Sequence, residues 1–300
     1  MISYAQNFED VILWRVLKDF TPGFYVDVGA NDPVVDSVTH WFYSQGWRGI
    51  NVEPVPAWHA RLAAERGEDT NLMVAIADKE GCLELFDIPD TGLSTFDSGT
   101  ARQHGLDGYG ATSIVVATTT LTKVLGQYRP TGPIHFLKID VESYEAQVLE
   151  SLDLVKYRPW IIVVEATIPR KPDISDAQVR KLLESANYTA VYFDGLNKFY
   201  VAHEQLDVLA NKWYPPNVFD GFVLHQTLIK DLKIGALEAH LEKLSNEISV
   251  LNQNLDVSLA EASLLRAQVV SLLGSTSWRI TRPLRWLGAM LRKLAEKRSD

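Results

Sequence analysis

The sequence predicts an α/β chain: a doubly wound, mostly parallel sheet covered by helices on both faces, followed by a long helical rod. Three observations predict it. Short β-rich runs alternate with helical periods through about residue 225. An apolar run (Phe24, Tyr25, Val26, Val28) enters a Gly-Ala-Asn-Asp turn at 29–32, and a second run (Ile50, Asn51, Val52) ends on a carboxylate at Glu53, 26 positions after Asp27. From Ile234 onward, apolar residues recur at alternating spacings of three and four.

In order, strands are expected at 24–28, 48–53, 71–76, 82–86, 113–117, 134–140, 160–165, 188–193, 198–202 and 221–225. Helices are expected at 6–19, 35–45, 56–66, 119–126, 143–151 and 175–186. The runs YTAVYFDG and NKFYVAHE follow one another across a Gly-Leu-Asn turn, which predicts an antiparallel hairpin at one sheet edge. Residues 87–111, rich in Gly, Ser, Thr and Asp, read as a long loop over the strand ends, and such loops are often lids.

The rod follows. Ile234, Leu237, Leu241, Leu244, Ile248, Leu251, Leu255, Ser258, Ala262, Leu265, Val269 and Leu272 form a heptad seam without an intervening proline. Leu dominates one seam position, and Ile, Leu, Val and a weaker Ala262 share the other, which predicts a parallel homodimeric coiled coil. A long helix packed on its own domain is the competing reading. The chain thus divides at sequence level into 1–228, a coiled coil over 229–274 and a tail over 275–300. In the tail, Leu284, Leu287, Met290, Leu291 and Leu294 recur at helical spacing among basic residues and two tryptophans, Trp278 and Trp286. A basic amphipathic helix of this kind over 278–298 fits an anionic membrane surface; a solvated end to the rod is the alternative.

Composition bounds the partners. Apolar content of 46% and 22% charge describe a globular chain with material for a core. A single cysteine, Cys82, excludes a disulfide framework and fits a reducing, cytoplasmic setting. No secretory h-region opens the sequence, and no unbroken run of about 18 apolar residues is present to span a membrane. Residues 275–300 carry seven basic and two acidic side chains, a net of +5, so residues 1–274 carry −14 of the chain's −9. An acidic body argues against nucleic acid as partner, because phosphate neutralisation dominates that binding.

In a doubly wound sheet the first turn lets a ligand approach the backbone, because Gly29 has no side chain. An acid at the tip of the second strand, Glu53, accepts hydrogen bonds from a ribose diol. Gly29 lacks the partners that complete GxGxxG, so no pyrophosphate cradle is present, and an adenosine cofactor without phosphates, S-adenosylmethionine, fits best. Asp78 follows the third strand, where an Asp before Lys-Glu-Gly is a good turn residue.

Read together, SYAQNFEDVIL (3–13), YVDVGAND (25–32), NVEPVP (51–56), VAIADKEG (74–81), GLSTFD (92–97), FLKIDVESYEAQVLESL (136–152) and VVEAT (163–167) resemble the FkbM family of methyltransferases. The resemblance covers about residues 1–225 and leaves out the rod and tail. It implies a class I methyltransferase fold, Rossmann-like with a seven-stranded sheet, that uses S-adenosylmethionine mostly for O-methylation of sugars and of polyketide or glycan hydroxyls. With geometry, it places Asp27, Gly29 and Asn31 around the methionine part, Asp27 toward the ammonium, and Asp78 where it meets the adenine amino group. By resemblance alone, Ser3 and Gln6, sharing a helical face with Asp10, lie on a lid over the cofactor; a polar face on an N-terminal helix is the plain alternative. The family usually has Gly where this chain has Ser143, which is expected to act as a helix cap.

Asp140 and Glu165 end two successive parallel strands, so their side chains converge over the catalytic crevice. Transfer to a hydroxyl needs a base for the proton, or a metal that lowers its pKa. Catechol-type O-methyltransferases hold a divalent ion on acids at these two strand ends, so Asp140 and Glu165, joined by Glu142, are candidate Mg²⁺ ligands. Without metal, Asp140 is the candidate base, and Lys138 either stabilises an alkoxide or simply alternates on its strand. His40, His104, His135 and His203 show no metal-ligand spacing. The expected function is S-adenosylmethionine-dependent O-methylation of a sugar or glycan hydroxyl in bacterial surface polysaccharide biosynthesis, peripherally at the inner membrane face. A catalytically silent scaffold dimerised by its rod is the alternative from another class, and an NAD(P)-dependent sugar oxidoreductase is weakened by the missing glycine triplet.

Overall fold

A computed structural model describes residues 1–88, 94–96, 99, 101, 110, 112–167 and 177–296. The expected lid at 87–111, with His104, lies mostly outside the described residues. The chain forms two compact units, Met1–Leu228 and Ile229–Asp300.

The first unit is built on a seven-stranded sheet. Its strands are β2 (Phe24–Val28), β3 (Arg48–Val52), β4 (Thr70–Leu72), β8 (Phe136–Ile139), β9 (Ile161–Glu165), β10 (Tyr188–Phe193) and β11 (Asn197–Ala202), in the order β10-β11-β9-β8-β2-β3-β4. Every neighbouring pair is parallel except those involving β11, which runs antiparallel to both β9 and β10. The hairpin edge and the sheet therefore follow the sequence expectation. Strand order reverses between β2 and β8, and such a switch point opens a crevice at the carboxyl ends of the strands.

The central strands are buried on both faces, which is why they read as continuous apolar runs rather than alternating ones. One face packs Val26, Ile50, Leu137 and Ile162 against the helices α4 (Leu121–Tyr128), α5 (Glu145–Glu150) and α6 (Ala177–Ser185). The other packs Tyr25, Phe136, Ile161 and Phe199 against α1 (Glu9–Leu17) and Trp47.

Four element expectations need correction, beginning with the helix expected at 35–45, of which only His40–Ser44 is helical. The strand expected at 71–76 is two strands: β4 stays in the main sheet, while β5 (Ala75–Ile76) joins β6 (Gly81–Asp87) and β7 (Thr112–Thr119) in a separate three-stranded sheet. Only Val223–Leu224 of the run 221–225 is strand, and it pairs with Ile2–Ser3 rather than with the main sheet. The helix expected at 6–19 starts at Glu9, because Asp10 turns its carboxylate back to accept from the Ser3 hydroxyl and from the Tyr4 and Ala5 N–H groups. These bonds compete with helix and fix Phe8 in the left-handed region at φ 64°.

Most of the second unit belongs to one continuous 50-residue helix, α7 (His225–Gly274), which begins in the last residues of the first unit and has no buried residue. The seam residues Ile234, Leu237, Leu241, Leu251 and Leu265 are exposed on it. The expected rod is thus one long helix. By length and composition it also holds an 18-residue window apolar enough to cross a membrane, at mean hydropathy 1.3. The sequence expectation of no spanning segment rested on unbroken apolar runs, and charged residues such as Glu261 and Arg266 interrupt this helix. Ser275 caps the next helix, α8 (Thr276–Ile280), by accepting from the Trp278 N–H. The tail helix α9 (Arg282–Glu296) exposes Leu284, Leu287, Met290 and Leu291, with Trp286 65% exposed beside them. Trp278 does not share that surface: the Arg285 guanidinium covers its ring at 3.6 Å.

Candidate active site

Two loops leave the sheet at its switch point, one after β2 and one after β8. Gly29 turns the first at φ 81°, and its N–H, like that of Ala30, donates to the Val52 carbonyl. Position 29 admits no side chain, since a Cβ there would lie 1.8 Å from the Asp140 carbonyl oxygen of the second loop. The two loops thus pack backbone to backbone, and a cleft of about 50 Å³ opens beside them.

Gly29, Asn31, Glu53 and Asp140 line this cleft together. Glu53 is buried, with one carboxylate oxygen accepting from the Asn31 N–H at 2.9 Å and the other from the Val55 N–H at 2.8 Å. Each oxygen keeps a second lone pair for a ligand hydroxyl. Burial pushes the Glu53 carboxyl up to about 7, against the pull of those two N–H groups. Asn31 sits in the left-handed region at φ 49° and holds a buried Oδ1 with no hydrogen-bond partner among the described residues. An orphaned acceptor beside a paired carboxylate in an open cleft fits a ligand rich in hydroxyl and ammonium donors. Trp58, Phe96, Leu85 and Val55 supply an apolar wall for a flat ring. Sequence reading missed Trp58 and Phe96; the only signal was an aromatic two residues into an expected helix and another inside the loop.

Asp140 and Glu142, which line the cleft, bring carboxylate oxygens within 4.8 Å of each other and of a Glu165 oxygen. Burial and then the neighbouring Asp140, Glu142 and Glu145 carboxylates push Glu165 up to about 9. Three oxygen ligands at such range suit a hard divalent cation.

The remaining candidates lie elsewhere. The Asp27 carboxylate is buried behind the turn, 3.5 Å from the Lys138 ammonium, and accepts from the Thr39 hydroxyl at 2.8 Å. A cation of this chain therefore stands where the sequence reading put a ligand's ammonium. Lys138 does not line the cleft; it pairs with Asp27 and Asp140 and donates to the Gly29 carbonyl. Burial alone would lower its pKa, but Asp27, Asp140 and Glu9 outweigh burial and raise it. Asp78 is exposed and close enough to Tyr144, whose ring meets Phe96 of the cleft wall, to help raise the Tyr144 pKa after burial. Ser3, Gln6 and Asp10 share no helical face: Ser3 is buried in a strand on Asp10, while Gln6 is exposed. Ser143 is no cap, because it holds φ 78°, Tyr144 precedes the helix, and Glu145 accepts from the Ser143 N–H. His40 bonds the Pro33 carbonyl, and His135 accepts from the Phe24 N–H.

The family model for the methyltransferase FkbM domain matches residues 27–190. Among solved structures, the chain is similar to the methyltransferase FkbM of Methylobacillus flagellatus KT at 12% identity and TM-score 0.37, covering 60% of this chain and 43% of that one. This chain thus spans less than half the length of that relative. It is also similar to the O-methyltransferase of Bacillus cereus in complex with SAH, at 12% identity and TM-score 0.34, covering 66% of this chain and 80% of that one. A third likeness is to a putative O-methyltransferase of Klebsiella pneumoniae, at 14% identity and TM-score 0.31, covering 67% and 82%. No curated protein matches the chain.

Proposed function

The chain belongs to the FkbM methyltransferase family, and on that premise we propose that it transfers a methyl group from S-adenosylmethionine to a hydroxyl of a sugar or glycan acceptor. The observation that carries this reading is the pairing of Glu53 with the Asn31 N–H at the rim of the Gly29 turn. It leaves a carboxylate, an orphaned amide oxygen and a side-chain-free backbone facing one cleft. Glu53 would hold the ribose diol, Asn31 Oδ1 a donor of the methionine or ribose part, and the Trp58–Phe96 wall the adenine.

S-adenosylmethionine supplies a methyl on a sulfonium, which a deprotonated oxygen displaces in line. The chain's part is to orient that oxygen and take its proton. Asp140 is the candidate base, as it lines the cleft and is 39% exposed at its side chain. Glu165 beside it favours the protonated state, raised by burial and by the neighbouring carboxylates. Asp140, Glu142 and Glu165 would hold Mg²⁺ in the alternative arrangement, where the metal lowers the acceptor's pKa.

The exposed seam of the 50-residue helix supports a homodimer, and the basic tail supports peripheral contact with anionic lipid at the cytoplasmic face of a membrane. An acceptor met there would be a lipid-linked or growing surface polysaccharide. The test is isothermal titration with SAH, followed by mass spectrometry of cell-surface glycan with and without the protein. A methyl adds about 14 Da per modified unit. A chain that binds no SAH is the silent scaffold, and bound SAH without a mass difference removes the glycan.

A further inference from the structure

A line of buried polar contacts runs behind the cleft, through residues that do not line it. Arg66, fully buried, donates to the carbonyl of Pro33, to the Ser37 hydroxyl and, at 2.9 Å, to the Thr39 hydroxyl oxygen. Thr39 donates onward to Asp27 at 2.8 Å, and Asp27 faces the Lys138 ammonium at 3.5 Å. Lys138 then reaches both cleft loops, at 3.2 Å from the Gly29 carbonyl oxygen and 3.4 Å from the Asp140 carboxylate.

A structural counter-ion for Asp27 would need only the first of these contacts. The other two fall on the residues that face each other across the tightest backbone approach in the cleft, where a Cβ at Gly29 would meet the Asp140 carbonyl. We propose that Lys138 is a positioning residue of the cofactor pocket: its ammonium fastens the Gly29 turn to the Asp140 loop, and Asp27, Thr39 and Arg66 hold that ammonium in place. The proposal rests on the reading of the cleft as an S-adenosylmethionine site. It replaces the alkoxide-stabilising role, because three partners of this chain already occupy the ammonium.

The test is SAH titration calorimetry on the full chain, with melting temperature measured alongside. Lys138→Met leaves Asp27 buried without a cation, so loss of fold is expected to contribute. The double variant Lys138→Met/Asp27→Asn removes both charges. It is expected to melt within a few degrees of wild type yet bind SAH at least tenfold more weakly. Wild-type affinity in the folded double variant overturns the proposal. If the double variant does not fold, Thr39 decides: Thr39→Val keeps every charge but cuts the line, and should weaken SAH at least threefold, while Thr39→Ser restores wild-type affinity. Equal, wild-type affinity in both Thr39 variants overturns the proposal. A wild-type chain that binds no SAH overturns the reading of the cleft and this proposal with it, whereas undiminished binding in the variants overturns this proposal alone.

Discussion

The carbonyl oxygen of Asp140 occupies the place of a side chain at Gly29: a Cβ built there would stand 1.8 Å away. The neighbour is backbone, so no rotamer change relieves the clash, and φ 81° adds strain for any other residue. Gly29→Ala is expected to cost about 2–4 kcal/mol of stability and to close the cleft to SAH. Urea unfolding and calorimetry measure the two effects. Wild-type values in both would mean that the loops do not pack as described.

Glu53→Gln is expected to weaken SAH by about 1–3 kcal/mol, since an amide offers one acceptor oxygen where the carboxylate offers two. The carboxyl, pushed up to about 7 by burial, also sets a pH dependence. Its folded pKa lies above the unfolded one, so the fold binds the extra proton, and stability falls as pH rises between the ordinary carboxylate range and about 7. The ligand favours the charged form, so SAH affinity should rise over the same interval. Glu9 (about 7) and Asp10 (about 6) share the stability trend, so the difference between wild type and Glu53→Gln is the quantity to follow. An identical pH profile for the two proteins would remove Glu53 from the binding site.

The same logic separates what the sequence made legible from what it did not. Gly29 and Glu53 were legible because a turn after one strand and an acid at the tip of the next are local patterns whose geometry the parallel sheet dictates. The acids at the ends of β8 and β9 followed from the same rule. Arg66 and Thr39 were not legible: 27 residues separate them, and only the tertiary fold turns an arginine after a helix into the donor for Thr39. The first block failed for a related reason. The spacing of Ser3, Gln6 and Asp10 suits a helix, but the Asp10 carboxylate offers three nearby donors a better partner than a helix would. Strands 82–86 and 113–117 were legible as strands, while their separate sheet was not, because periodicity names no partner.

Ser143 occupies φ 78° directly after Glu142 at φ 51°, two successive residues in the left-handed region. A side chain costs about 1–2 kcal/mol there, and glycine costs little beyond unfolded-state entropy. Ser143→Gly is therefore expected to stabilise the fold by about 0.5–1 kcal/mol without loss of SAH binding, read from denaturant midpoints. Destabilisation would show that the Ser143 side chain makes a compensating contact.

If Asp140, Glu142 and Glu165 hold a divalent cation, Mg²⁺ should raise the melting temperature of the wild-type chain, and Glu165→Gln should abolish that shift while leaving the protein folded. Chelator should reverse it. A melting temperature indifferent to Mg²⁺ leaves Asp140 as base without metal.

The rod carries the last prediction. Its seam is spaced by alternating threes and fours, so on a straight helix the apolar stripe drifts by about 20° per heptad, and only a left-handed supercoil with another helix keeps it covered. Over 50 residues, about 75 Å at 1.5 Å per residue, the apolar seam side chains stand in solvent. Ranking Leu, Ile and Val at such positions favours two parallel strands. Truncation after residue 230 is expected to give a monomer that still binds SAH, and Leu241→Lys with Leu251→Lys in the full chain should dissociate the dimer without touching the cleft. Sedimentation equilibrium reads the mass. A dimer that survives truncation places the interface in residues 1–230 instead. A full-length chain that stays with membranes after high-salt washing, while the Lys variants are released, would assign the same helix to the bilayer, where two buried lysines cost most.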